Sequence, residues 1–267
     1  MNNKLELKST KLKYIIWMFS VFVVLLLCLP SMYVIIWSIF GTSTVGILGD
    51  FTFRWFKVIL TSYDWLKSFL YSIVLAISSS FIATITAVLY FYFSIWYRRI
   101  YQTVGYILFL GPLFFPTVVY ALALKITFGL LITSEWIQLA IGHITLLLPI
   151  LYFLIESSNE LIKIEWIYGS AIMGSSHREI LLHIVYPILK KPISITFGVG
   201  ILFSFDEIVL ASLIIDSANT TVPKRMWDTI NRQMDPTPAV IATILLFLSG
   251  IIIIFKSLRK KSNKKLS

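Results

Sequence analysis

Few residues in this chain have types and spacing suited to chemistry. Asp206 and Glu207, in 203-FSFDEIVLASLI-214, are the only adjacent acids, and they sit in an apolar run. An ionisable pair in such a setting is costly and normally faces water, a partner or a polar path. Two roles fit: the carboxylates attract a cation through their summed charge, or they cap and salt-bridge a helix end, with Arg225 as a partner. The three histidines (His143, His177, His183) and the single Cys28 lack metal-site spacing. His143 lies in an apolar stretch, where bonding to a neighbouring helix is a simpler expectation than proton relay. No G-x-x-x-x-G-K-[ST] loop occurs, so ATP phosphates have no cradle of that kind. With no nucleophile–base pair, metal site or cofactor of its own, the chain reads as a conduit rather than an enzyme.

The elements that must position these residues are lipid-soluble. Of 267 residues, 58% are hydrophobic and only 13% charged, and the mean hydropathy is +0.86. A soluble domain of this length could not hide that much apolar surface. A span needs roughly 20 apolar residues to cross about 30 Å of hydrocarbon. Six runs qualify: about 14–37, 68–95, 103–128, 136–155, 191–215 and 239–256. The fifth is the least regular, because Asp206 and Glu207 fall near its outer end. The first is expected to be an uncleaved span, since it is long and no A-x-A site follows. Cys28 excludes an internal disulfide.

The net charge of +10 would suggest nucleic acid in a soluble protein, but the basic residues cluster at span ends, so no nucleic-acid partner is expected. With the N-terminus inside, the inner face holds Lys4, Lys8, Lys11, Lys13, Arg98, Arg99, Lys163, Arg178, Lys190, Lys191 and the tail KSLRKKSNKK. Only Arg54, Lys57, Lys67, Lys125, Lys224, Arg225 and Arg232 fall outside. This bias predicts six spans with both termini in the cytoplasm. Two external segments, 38–67 and 216–238, mix aromatic and charged residues and are expected at the membrane interface. Trp227, Asp228 and Asp235 in the second would form a gate, a partner contact or a plain interfacial anchor.

Segment 156–190 falls inside and is unusually polar. Leu161, Ile164, Ile167, Ala171 and Ile172 form an apolar side at helical spacing. Gly174 falls where that helix should stop. Ser176 and Glu179 form a capping-box pattern that starts a second short helix, and Pro187 marks a turn toward the next span. Such a hairpin either fits a groove on another protein or lies on lipid.

The pattern resembles the cytoplasmic "EAA" coupling loop of ABC importer permeases. Gly169 and Ser170 match its small pair, Gly174 its glycine, and Pro187 the proline thirteen residues beyond. Tyr168 stands at the family's acidic position, with Glu165 one turn earlier. Segments 141–149 (IGHITLLLP) and 114–124 (FFPTVVYALAL) resemble the family's fourth and third spans. Segments 203–214 and 222–246 resemble the branch that handles spermidine and putrescine.

The resemblance covers about residues 50–256. It implies an all-α integral membrane protein of the type I importer fold in a bacterial plasma membrane. It also implies a second permease subunit, two cytoplasmic ATPases that meet the coupling loop and carry ATP and magnesium, and an extracytoplasmic substrate-binding protein. Asp206, Glu207, Trp227 and Asp228 are then the candidate pathway residues, with ferric iron, an aminophosphonate or an anion as alternative cargoes. An ion-driven secondary transporter would instead favour repeated halves, and no repeat is visible.

Overall fold

Backbone polar groups that cannot reach water must pair within their own segment, which long apolar runs achieve as helices. The computed structural model describes residues 2–42, 49–96, 107, 109, 111–216, 219–232 and 235–265, and their regular structure is helical. Among the described residues, four helices are long and apolar enough to cross a bilayer: Leu12–Phe40, Tyr63–Trp96, Glu135–Leu161 and His177–Asp206. Thr117–Gly129 and Thr237–Ile252 are apolar but shorter.

The chain divides into two compact units, residues 1–62 with 226–267, and residues 63–225. In the first unit, α1 (Asn2–Phe40) packs against α11 (Thr237–Lys265), and the short α2 (Arg54–Thr61) also meets α11. The Trp55 indole N–H donates to the Gly41 carbonyl at 3.1 Å and ties α2 to the end of α1. Asp235 accepts from the backbone N–H of Thr237 at 2.9 Å and caps the start of α11. Segment 38–67 therefore contains an amphipathic helix, as does segment 216–238, where α10 (Val222–Arg232) runs.

In the second unit, α3 (Tyr63–Trp96) packs against both α5 (Glu135–Glu156) and α8 (Tyr186–Asp206). A buried stripe of small side chains makes this possible: Ser72, Ala76, Ser80, Ala83 and Ala87 recur along one face of α3. Small residues let helix backbones approach where lipid provides no hydrophobic drive between helices. Gly200 of α8 completes the contact. A Cβ there would lie 3.0 Å from the Ser80 Cβ and 3.1 Å from a Leu151 methyl.

At three places the local structure differs from a simple reading of the sequence. The third expected span, 103–128, begins outside the described residues, as do Arg98 and Arg99. Within its described part the helix breaks at Phe115–Pro116 before α4 (Thr117–Gly129), because proline cannot donate the next helical hydrogen bond. The fifth, 191–215, is two helices: α8 stops at Asp206 and α9 covers Val209–Ile214. Nor does Pro187 mark a turn. Helix α7 (His177–Ile180) runs through a π-helical turn, Leu181–Val185, directly into α8. An α-helix would set the Pro187 ring against the His183 carbonyl, and the wider turn just before it accommodates the ring without ending the helix.

The close α3–α8 contact is testable. Gly200→Leu should destabilise the protein by about 1–3 kcal/mol through overpacking. Gly198→Leu should have little effect, since nothing lies within 4 Å of its Cβ position. Thermal unfolding of both variants in detergent would check this, and equal shifts would show that the α3 stripe is not close-packed.

Candidate functional site

The polar segment after α5 is built around two interlocking helix ends. Helix α6 (Ile164–Ile172) closes with Gly174 at φ +92, a left-handed conformation that glycine adopts without a Cβ penalty. The Ser175 N–H donates to the Ser170 carbonyl and the Gly174 N–H to the Ala171 carbonyl, each at 3.0 Å. These are the two bonds of a Schellman closure. One residue later α7 opens with a full capping box. The Ser176 backbone N–H donates to Glu179 Oε2 at 2.7 Å, and the Glu179 N–H returns to Ser176 Oγ at 3.3 Å.

One side of this turn is anchored. Ile167, Ile180, Val185 and Leu189 are buried against Phe91, Tyr92, Leu151 and Ile155 of α3 and α5. The Tyr92 hydroxyl donates to the His177 carbonyl at 2.9 Å. The Trp96 ring meets the His177 ring edge-on at 4.5 Å and the Tyr168 ring at 5.6 Å. Tyr168 is thus an aromatic packing residue against the end of α3. The other side is bare, with Ile172 86% and Met173 87% exposed. Beside them runs an open groove of about 520 Å³ lined by Glu165, Gly169, Ser170, His183 and Pro187.

The candidate pathway acids take different positions. Asp206 is exposed at the last residue of α8. Glu207 lies in the break, where its Oε1 accepts from the backbone N–H groups of Val209 at 2.8 Å and Leu210 at 3.0 Å. Arg225, suggested by the sequence as their partner, instead donates to Ser68 Oγ at 2.7 Å and approaches Asp64 at 3.9 Å. His143 of α5 reaches Ser204 of α8, Nδ1 to Oγ, at 2.7 Å. Beyond α9, Asp216 pairs with Lys125 at 2.6 Å, and this hydrogen bond holds the Asp216 carboxyl below the usual carboxylate range. Trp227 is exposed and Asp228 half-buried on the part of α10 that belongs to the other unit. Among the described residues, no three His, Cys, Asp or Glu side chains gather as a metal site requires.

Residues 64–266 match the family model described as the binding-protein-dependent transport system inner membrane component. The chain belongs to this family. No curated protein matches the chain. Membership makes it a membrane permease of a transport system that works with a substrate-binding protein.

Sequence reasoning located the permease's glycine turn and capping box but missed the Tyr92–Trp96 clamp on α3. The signal was available: two aromatics four residues apart share a helix face at the end of a span. Nothing in the sequence pointed to His177 as their target.

The turn can be probed through its backbone alone. Because nothing lies within 4 Å of a Cβ on Gly174, Gly174→Ala should cost only the left-handed strain of about 1–2 kcal/mol. Hydrogen exchange should accelerate across 170–180 and stay unchanged within α5. Unchanged exchange at the turn would mean that the left-handed residue does not hold it together.

Proposed function

We propose that the chain is the permease subunit of an ABC importer and that its cargo is a polyamine of the spermidine or putrescine type. The observation that carries the importer reading is the Gly174 turn, braced on α3 by Tyr92 and Trp96 and presenting Ile172 and Met173 bare. A rigid helical corner with an apolar tip suits the groove of a partner protein. In an importer that partner is the ATPase, and closure of two ATPases would push the corner. The continuous helix His177–Asp206 then carries the displacement along its length to Asp206 and Glu207.

In this reading the chain crosses the membrane six times with both termini in the cytoplasm, consistent with the distribution of its basic residues. The break at Pro116 and the break at Glu207 fall within crossings, as irregular backbone does where it faces protein or a polar cavity rather than lipid. A second permease subunit would supply the other half of the pathway, and an extracytoplasmic binding protein would deliver cargo. ATP hydrolysis belongs to the partner subunits. The polyamine cargo is supported by the adjacent acids and by the resemblance of segments 203–214 and 222–246 to the spermidine and putrescine branch. Ferric iron, an aminophosphonate or an anion are the competing cargoes.

Ile172→Asp with Met173→Asp should abolish co-purification of the ATPase while leaving the chain inserted. In a Cys28→Ser background, Ser176→Cys should react with an impermeant thiol reagent only from the cytoplasmic side, and Asn231→Cys only from outside. Retained ATPase binding would overturn the docking corner, and reversed labelling would overturn the six-span orientation. Uptake of labelled spermidine, competed by putrescine and not by ferric iron or phosphonate, would establish the cargo.

A further inference from the structure

A partly open side cavity of about 160 Å³ lies between α4, α5 and α8, next to the break at Glu207. Its polar lining is Thr117, His143, Ser204 and Glu207, set among apolar residues such as Leu113 and Phe203. A water needs only about 10–15 Å³ of such space, so the cavity admits a small organic headgroup. Two features mark it as more than a packing defect.

The first is a buried polar atom left over. His143 is only 2% exposed, and its Nδ1 bonds to Ser204, yet its Nε2 has no partner among the described residues. Buried polar atoms in native proteins are normally paired, and an exception calls for an explanation such as an absent ligand. The second is a concentration of negative potential. The Glu207 carboxylate takes the N–H groups of Val209 and Leu210 with Oε1 alone, and Oε2 makes no hydrogen bond among the described residues. In an unbroken helix those two N–H groups would have bonded the carbonyls of Phe205 and Asp206. The break therefore leaves the last carbonyls of α8 without helical donors, at the negative end of that helix.

We propose that this cavity is a cation subsite that holds a primary ammonium group of the cargo. The ammonium donates to Glu207 Oε2 and to the lone pair of His143 Nε2, with the imidazole proton on Nδ1 and donated to Ser204. Its methylene stem runs along Leu113 and Phe203. The two adjacent acids then have separate roles: Glu207 belongs to the subsite and Asp206 does not. This assignment rests on the importer reading with a polyamine cargo.

The test uses the permease purified with its ATPase and reconstituted into vesicles, with spermidine as the probe and uptake normalised to folded complex. Glu207→Gln keeps an oxygen to cap α9 but removes the charge. His143→Asn keeps a polar atom near the Nδ1 position and deletes Nε2. Each should lower spermidine uptake by about tenfold or more, the scale of losing one charge-assisted hydrogen bond. Asp206→Asn should lower uptake less than either of these variants does, since Asp206 does not line the cavity. In a Cys28→Ser background, Leu113→Cys should react with a cationic thiosulfonate reagent, and spermidine should slow that reaction in the otherwise native cavity.

Normal spermidine uptake in both Glu207→Gln and His143→Asn, with no protection of Leu113→Cys, would overturn the subsite and leave the polyamine importer standing. Loss in Asp206→Asn equal to that in Glu207→Gln would overturn the division of roles. A wild-type complex that couples to ATP yet neither takes up spermidine nor shows protection would overturn the cargo reading, and the ammonium subsite with it. If a variant fails to assemble, the protection measurement on Leu113→Cys decides alone.

Discussion

Wherever a helix stops, its end carbonyls and amides need partners from side chains, backbone or water. The organisation of this permease depends on how it meets that demand at two places. At Gly174 the chain ends one helix and starts the next within a few residues, using a Schellman closure and a capping box that leave little backbone unpaired. At Glu207 it breaks a long helix with a side chain that supplies the missing acceptor itself. Between these points, from His177 to Asp206, the backbone is continuous. It tolerates Pro187 by widening into a π turn.

A continuous helix bounded by two deliberate interruptions suits the transmission of movement. One interruption makes an exposed corner braced by aromatic rings; the other makes a polar niche inside an apolar wall. The intervening helix packs on α3 through small residues, so the two backbones meet closely at Gly200 and Ser80. Small residues on both faces are what allow the backbones to approach so closely. On the proposed reading, force applied at the corner therefore reaches the niche through one element rather than through a relay of loops.

An aromatic clamp holds the corner to α3. Here Tyr168 and His177 flank the Trp96 ring edge-on, and the Tyr92 hydroxyl fastens the His177 carbonyl. The contact combines ring packing with a hydrogen bond, and it fixes the corner to α3.

Local chemistry decided what the sequence could determine alone. The helical, lipid-compatible character follows from long apolar runs, and the turn follows from Gly174, Ser176 and Glu179, because capping involves residues a few positions apart. The resemblance to a permease family was legible for the same reason, since it rests on short segments. Tertiary structure decided the rest. Composition allows 191–215 to be one helix, but the Glu207 carboxylate captures two amides and ends it. Proline at 187 reads as a stop, but the packing of Val185 and Leu189 into the core keeps the helix going around it. His143 and Ser204 lie 61 residues apart, and Tyr92 and His177 lie 85 apart. Such pairs depend on how helices cross, and crossing is set by the shapes of whole faces, which no short stretch of sequence contains.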